Sequence, residues 1–334
     1  MIALSTGTKS QVIALAPMEG VVDDITRDLL TKIGGVDLVV TEFIRVLGLT
    51  LPEHVFYRDA SELRHEGPLR SHTKAGTPLL VQLLGSDPEA LAANARVALS
   101  LGAVGIDLNF GCPAKTVNRH DGGATLLKDP TRIEEIVKAV RAATPETHSV
   151  SAKVRLGFHD KSLHREIAQA AEAGGASWLT VHARTRDEGY RPPAHWEYIG
   201  TMREAVKIPV IANGEVWTPE DYHRMREVSG CEHAMIGRGL LARPSLALEC
   251  KGQSELWPWE KVLPFVVEFV HASNQPPKFS SGGQVRGARF ASARLKQWLK
   301  SLQKTYPEAA ALFERLKTRD TIEISDLGQL SAHS

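Results

Sequence analysis

The chain alternates between two kinds of segment. Short apolar runs rich in β-branched residues recur at 12–16, 37–43, 79–84, 105–109, 150–155, 178–183, 210–213 and 234–237. Longer stretches with apolar residues three and four apart lie between most of them, at 88–101, 131–143, 164–173 and 219–228. The first kind reads as strand and the second as helix burying one face. Three helices open on a capping side chain followed by proline: Asp87-Pro88, Asp129-Pro130 and Thr218-Pro219. Eight strands that alternate with helices over about 240 residues predict a (β/α)8 barrel rather than an open sheet. The segment 47–77 is long and polar for a connection in such a barrel and reads as a functional loop.

Past residue 256 the strand signal stops. Helical patterning covers 258–273, 285–304 and 307–318, and the stretch 274–283, with its prolines and glycines, reads as a linker. The predicted architecture is therefore α/β, a (β/α)8 TIM barrel over residues 1–255 with a small C-terminal helical bundle over 256–334.

Composition narrows the class. Hydrophobic residues make up 43% of the 334 and charged residues 24%, which supports a sizeable core and argues against disorder. No apolar run approaches the roughly 18 to 20 residues of a membrane crossing. The apolar stretch 12–17 is followed by Glu19, Asp23 and Asp24 without a small-residue cleavage site, so it does not read as a secretory signal. Cys112, Cys231 and Cys250 are far apart and form no C-x-x-C pair, which speaks against a disulfide framework, a zinc ribbon or an iron–sulfur centre. The expectation is a cytoplasmic enzyme with no metal and no membrane association.

Lys plus Arg total 40 against 39 Asp plus Glu, a net charge of +1, which argues against a uniformly basic nucleic-acid binder. The average hides two unlike parts. Residues 256–334 hold 11 basic against 7 acidic residues, and the remainder holds 29 against 32. Between 286 and 304 stand Arg286, Arg289, Arg294, Lys296, Lys300 and Lys304, with no acid. At about 100° per helical residue all but Arg294 fall in one arc of roughly 80°. Ala288, Ala291, Leu295, Trp298, Leu299 and Leu302 lie opposite, and Trp298 reads as core. Such a face is either solvated surface or a contact for a phosphate backbone; its lack of acids and its place in the added helices favour the second.

In a (β/α)8 barrel the site is built at the C-terminal ends of the strands. There the chain carries Ala16-Pro17-Met18-Glu19-Gly20, Gln82, Asn109-Phe110-Gly111-Cys112-Pro113, Lys153, Arg155, His182, Arg184, Asn213-Gly214-Glu215 and Gly237-Arg238-Gly239. The last two motifs read as a phosphate cradle of glycine backbone and one arginine, or as mere tight turns. Lys153 on a strand needs a partner: a salt bridge inside the barrel, or an electron-rich ring such as a flavin, whose reduced form a cation stabilises. Cys112, in a Gly-Cys-Pro turn after a strand, is better placed to react than Cys231 and Cys250, which read as core. It is a nucleophile if deprotonated and a proton donor if neutral; composition does not choose.

These residues resemble the tRNA-dihydrouridine synthases over nearly the whole chain. The matching segments are Ala16-Pro17-Met18-Glu19-Gly20, Thr41-Glu42-Phe43, Val81-Gln82-Leu83, Asp107-Leu108-Asn109-Phe110-Gly111-Cys112-Pro113 and Lys153-Val154-Arg155. They continue with Val181-His182-Ala183-Arg184-Thr185, Asn213-Gly214-Glu215 and Ile236-Gly237-Arg238-Gly239. Gly122-Gly123-Ala124-Thr125-Leu126-Leu127 and Ala293-Arg294-Leu295-Lys296-Gln297-Trp298-Leu299 look like the C-type subgroup, which modifies uridine 16 of the D-loop. Phe110 and Ala114 stand where that subgroup usually has Cys and Ser, and neither change removes a group the chemistry needs. The N-terminus is about ten residues longer than usual, an extension with no assigned role.

The resemblance implies an FMN enzyme that reduces the C5–C6 bond of uracil with NADPH, or NADH, as electron source. Hydride passes from flavin N5 to C6, and Cys112 gives a proton to C5. It places Ala16, Pro17, Met18, Gln82, Lys153 and His182 around the flavin, with Asn213, Gly214, Glu215, Gly237 and Arg238 at its ribityl phosphate. Asn109 and Arg155 look like contacts to the target uridine, and Arg45, Arg289, Arg294 and Lys296 like contacts to tRNA. It also implies a monomer. The target base must leave the folded RNA to reach a barrel floor, so affinity has to come from the phosphate backbone elsewhere. Two other readings are a dihydroorotate-type flavin dehydrogenase, which needs no basic helical domain, and an RNA-binding protein with a decayed site, against which Cys112, Lys153 and the phosphate loops speak.

Overall fold

Parallel pairing around the whole sheet follows from the order of the elements. In the computed structural model, which describes residues 11–114, 122–275 and 286–327, the chain runs β1 (Ile13–Leu15), α1 (Asp24–Ile33), β2 (Leu38–Val40), β3 (Ile44–Arg45), α2 (Glu53–Asp59) and β4 (Leu79–Leu84). It continues through α3 (Pro88–Ser100), β5 (Gly105–Asn109), α4 (Pro130–Ala142), β6 (Ser149–Arg155), α5 (His164–Ala173), β7 (Trp178–His182) and α6 (Trp196–Glu204). Then come β8 (Val210–Asn213), α7 (Pro219–Ser229), β9 (His233–Ile236) and the short helices α8 (Arg238–Ala242) and α9 (Leu246–Cys250). β1 pairs with both β2 and β9, and β2 and β3 both pair with β4, so two short strands share one stave and the sheet closes as an eight-stave parallel barrel. The N-terminal extension and most of the expected linker lie outside the described residues.

The split stave has a local cause. Where the ladder between β2 and β4 would continue, the Gln82 amide donates to the Thr41 hydroxyl (2.9 Å) instead of to a backbone carbonyl. The expected caps do form: Asp87 accepts from the Ala90 amide, Asp129 from Thr131, and Thr218 with Asp221 closes a capping box. Each is worth about 1 kcal/mol. The segment 47–77, expected as a long functional loop, contains α2 and two 3-10 turns. Phe56 is wholly buried there, and Arg27 of α1 forms a bidentate pair with Glu62 (2.7 and 2.9 Å), both about 1% exposed. With that ion pair, a few scattered buried residues such as Phe56, Ala60, Leu63 and Thr73 hold the segment, too little apolar periodicity to read in advance.

Alternation along the staves separates two interiors. Outward residues such as Leu15, Val39, Val81, Leu108, Val154 and Val181 pack beneath the helices. Inward residues Ala14, Leu38, Val40, Leu80, Trp178, Ile211 and Met235 form an apolar floor. Toward the C-terminal ends the inward positions turn polar: Gln82, Asp107, Asn109, Ser151, Lys153, Thr180, His182 and Asn213.

Three further helices, α10 (Trp259–Asn274), α11 (Ala288–Leu302) and α12 (Pro307–Leu316), pack together and against the barrel. α11 buries Ala291, Leu295, Trp298, Leu299 and Leu302, while Ala288 at its first turn is exposed. Trp298 is core, edge-on to Phe269, and its indole N–H donates to the Leu241 carbonyl of α8 (3.1 Å). Arg294 is not on the basic face. It is 9% exposed, and its guanidinium reaches across to the carbonyls of Gly20 (2.9 Å) and Val21 (2.7 Å) and to Asp23 (3.1 Å). Its place near the seam of α11 explains this, since it stands apart from the arc of the other five cations.

The buried Arg27–Glu62 pair gives a direct stability test. Glu62→Gln leaves a buried guanidinium half-compensated and should cost about 3 kcal/mol in urea unfolding. Replacing both partners with apolar residues should cost clearly less.

Candidate active site

The polar inner positions open into a cavity of about 650 Å³ at the C-terminal mouth of the barrel. Its lining includes Ala16, Pro17 and Met18 after β1, Gln82 from β4, Asn109, Gly111 and Cys112 from and after β5, and Lys153 and Arg155 from β6. His182 of β7, Asn213, Gly214 and Glu215 at the end of β8, and Gly237 and Arg238 after β9 complete the ring. Arg45 is not part of the lining, and Arg289, Arg294 and Lys296 belong to α11. Gln297 and Ser301, also from α11, do line it.

The two glycine turns leave room that a side chain would fill. Gly214 has φ +123°, and a Cβ there would meet the His182 ring at 3.1 Å. A Cβ on Gly237 would meet Ala16 Cβ at 3.2 Å and Met18 Sδ at 3.3 Å. Glu215 also has positive φ, +61°. An acid in a phosphate loop is accounted for by where its carboxylate goes: it pairs with the buried Arg184 and accepts from the Trp217 indole N–H (2.8 Å). The Arg238 guanidinium, set over the rings of Trp217 and Tyr190 at 5.1 and 5.2 Å, also reaches the Glu215 carboxylate at 3.9 Å, so two guanidinium groups share one acid and this end keeps an excess of positive charge. α8 is only five residues long, so the charge of Arg238 matters more here than any helix dipole.

Lys153 has no carboxylate at ion-pair distance among the described residues; its ammonium donates to the Asn213 carbonyl oxygen (3.2 Å). Asn213 is fixed in turn by donating to the Met235 carbonyl (2.8 Å). Burial, and then the nearby Arg155, bring the Lys153 pKa down to about 8, against the pull of Asp107. His182 is held neutral, well below its usual range, by burial and then by Arg155, Lys153, Arg184 and Arg238. The wall from β6 to β9 therefore concentrates positive charge without equivalent acids, which suits an anionic, electron-accepting ligand.

Across the mouth, Cys112 is buried, and its thiol is pushed up from its ordinary range chiefly by burial, with Glu19 adding to the shift. At neutral pH it is a thiol, which favours the proton donor over the nucleophile. Its turn is held firmly. The Asn109 side-chain oxygen accepts from the amides of Gly111 (2.9 Å) and Cys112 (3.0 Å), Arg155 Nε donates to the Gly111 carbonyl (2.8 Å), and the Ala124 amide donates to the Cys112 carbonyl (3.1 Å). Asn109 and Arg155, expected at the substrate, thus also build the loop that carries the thiol.

Tyr190, Glu42 and Trp217 also line the cavity, although the sequence reading assigned none of them a role there. Tyr190, 55% exposed, has its ring within cation–π reach of Arg155 and Arg238 (5.2 Å each). Glu42 accepts from the Val21 amide (3.1 Å), with its carboxyl raised by burial. Trp217 lies between Arg238 and Lys304, the latter 4.2 Å from its ring centre. Tyr190 and Trp217 sit in loops, where no period marks them, although Trp217 directly follows a strand-end motif. Among the described residues no group of three His, Cys, Asp or Glu side chains could hold a metal, and no helix is long and apolar enough to cross a membrane.

The pattern of the family described as Dihydrouridine synthase (Dus) matches residues 14–311. A protein of Aquipseudomonas alcaligenes named tRNA-dihydrouridine(16) synthase is 48% identical over 319 residues, 94% of this chain and 97% of its own. One of the same name from Pseudomonas syringae pv. tomato is 51% identical over 311 residues, 91% of this chain and 94% of its own. Another, from Shewanella oneidensis, is 47% identical and covers 93% of this chain and 95% of its own. A solved nitroalkane oxidase from Streptomyces ansochromogenes overlaps 70% of this chain and 66% of its own at 18% identity, with a TM-score of 0.43, too slight a likeness to build on. The family match runs from β1 into α12 and takes in every strand end that lines the cavity, and the chain belongs to the dihydrouridine synthases, flavin-dependent enzymes that reduce uridine in tRNA.

Proposed function

We propose that this protein uses FMN and NADPH, or NADH, to reduce the C5–C6 bond of uridine 16 in the D-loop of tRNA, acting in the cytoplasm as a monomer. The observation that carries the chemistry is a neutral thiol fixed at the mouth of a cation-rich cavity. The relatives' names carry the position. Residues 1–255 would be the catalytic barrel and 256–334 the RNA-binding helices.

The cavity fits FMN. Lys153 and Gln82 would face the ring, Ala16, Pro17, Met18 and His182 would enclose it, and Asn213, Gly214, Glu215, Gly237 and Arg238 would hold the ribityl phosphate. When bound, FMN supplies the hydride that C6 of the uracil accepts. Charge then builds on C5 and the neighbouring carbonyl, and the Cys112 thiol delivers its proton to C5. The thiolate left behind faces Arg45 and Arg155, which favour its charge. Solvent returns the proton. Asn109 and Arg155 would contact the uracil, and Arg45 the RNA around it. Arg289 and Lys300, both exposed on α11, with the partly exposed Lys296, would meet the phosphate backbone. Arg294 would join that contact only by giving up its bonds to the loop after β1.

In tRNA from cells lacking this protein, dihydrouridine should be missing at position 16 alone. The wild-type gene should restore it, and Cys112→Ala should not, although the variant still binds FMN and is bleached by NADPH. Loss at a different position would overturn the assignment.

FMN affinity of the apoprotein should weaken as pH rises through about 8. The sign follows from Lys153, which is cationic below its pKa of about 8 and neutral above it. An affinity that stays flat from pH 7 to 9 would separate Lys153 from the cofactor.

Neutralising Arg289, Lys296 and Lys300 together should lower the slope of log K for tRNA against log salt by about 2 to 3. An unchanged slope would return this face to solvated surface.

A further inference from the structure

Behind the thiol lies a chain of hydrogen bonds in which each group sets the direction of the next. Asp107 sits on β5 inside the barrel, 1% exposed and outside the cavity lining. One carboxylate oxygen accepts from the Ser151 hydroxyl (2.6 Å) and the other from the Gln82 side-chain amide (2.7 Å). The Gln82 carbonyl oxygen then accepts from the Asn109 side-chain N–H (2.8 Å). Only this orientation leaves the Asn109 oxygen free to accept from the amides of Gly111 and Cys112.

The amides of Gln82 and Asn109 are nearly symmetric in shape, so packing alone does not choose which end is oxygen. An ionised carboxylate can only accept. Asp107 therefore forces the N–H end of Gln82 toward itself, which forces the Asn109 oxygen toward the Cys112 turn. With the opposite choice, the Asn109 N–H end would confront two backbone donors, the amides of Gly111 and Cys112, at a partly buried position.

We propose that Asp107 is a positioning residue for Cys112, acting through Gln82 and Asn109 to hold the acid's turn in its productive conformation. The proposal deepens the proposed function and rests on it for the meaning of the thiol, though not for the geometry. The charged group facing Asp107 is Lys153, and Ser151 and Gln82 supply its hydrogen bonds. Its pKa, raised to about 6 by burial, still leaves a carboxylate at neutral pH.

D107N keeps the shape but removes the compulsion, since an amide can present either end to Gln82. Both relay directions then become accessible, and the turn loses its single state. The double variant D107N/Q82E moves the acceptor-only group one step along. The carboxylate introduced at position 82 would accept from the amide introduced at position 107 on one side and from Asn109 on the other, restoring the Asn109 orientation. The primary readout is alkylation of Cys112 by iodoacetamide at pH 8 in the flavin-free protein, followed by peptide mass. Cys231 and Cys250, buried and pushed up to about 11 and about 12, react slowly there.

D107N should raise the Cys112 alkylation rate by about three-fold or more, and D107N/Q82E should return it toward wild type, a coupling characteristic of groups in one network. In the loaded enzyme, D107N should slow dihydrouridine formation about ten-fold while NADPH-driven flavin bleaching keeps its rate. A merely structural Asp107 would lower the melting temperature in both variants without the rescue. Unchanged alkylation in a folded D107N protein overturns the proposal. A wild-type enzyme that makes no dihydrouridine would instead sink the functional reading and leave the alkylation result standing.

Discussion

A closed parallel barrel turns every second strand residue into a space without water, and polar residues there must find partners among themselves. In this chain they do so unequally around the ring. On β4, β5 and β6 the set of Gln82, Asp107, Asn109 and Ser151 satisfies itself and passes its order to the Cys112 turn. Toward β6 to β9, Lys153 and Arg155 meet an amide, carbonyls and an aromatic ring, while Arg184 and Arg238 share the carboxylate of Glu215. One wall is finished and the other has charge to spare. The finished wall fixes an acid, and the unfinished one is suited to an anion.

The helical layer is tied into this arrangement. Arg294 and Gln297 of α11 both donate to the Gly20 carbonyl, close after the Pro17-Met18 stretch that lines the cavity. Gln297 and Ser301 line the cavity themselves. The adjoining flank of the same helix exposes Arg289 and Lys300. The near-neutral net charge of the chain reflects this layout: its excess cations sit on that flank and inside the barrel, where each has a local role.

Much of this was legible in the sequence, for physical reasons. Parallel staves read as short apolar runs because their outer faces are always covered, and the caps at Asp87, Asp129 and Thr218 mark helix starts by hydrogen-bond chemistry. Strand-end residues point into the mouth by topology, so Lys153, His182 and Asn213 could be named before their neighbours were known. Three things could not be read. The order in 47–77 rests on contacts far apart in the chain, among them the pair of Arg27 with Glu62 and the bond of Thr31 with Thr73, and no local pattern records them. Arg294 carries the same charge as its neighbours, and only packing shows that it faces the barrel. The relay from Asp107 depends on which end of two amides is oxygen, a property of contacts between strands and invisible to spacing.

Burial acts on Cys112 and Lys153 in opposite senses. It raises Cys112 and lowers Lys153, in each case favouring the neutral form. For the thiol this is an advantage, since a proton donor must keep its proton until charge appears beside it. For the amine it is a liability, since a neutral lysine cannot stabilise negative charge. The asymmetry is removed only by an anionic ligand, whose field raises Lys153 again while the thiol stays protonated. With a pKa of about 8 the amine stays mostly cationic at neutral pH, so burial narrows the range in which it carries charge without removing the charge, and an anionic ligand would widen that range again.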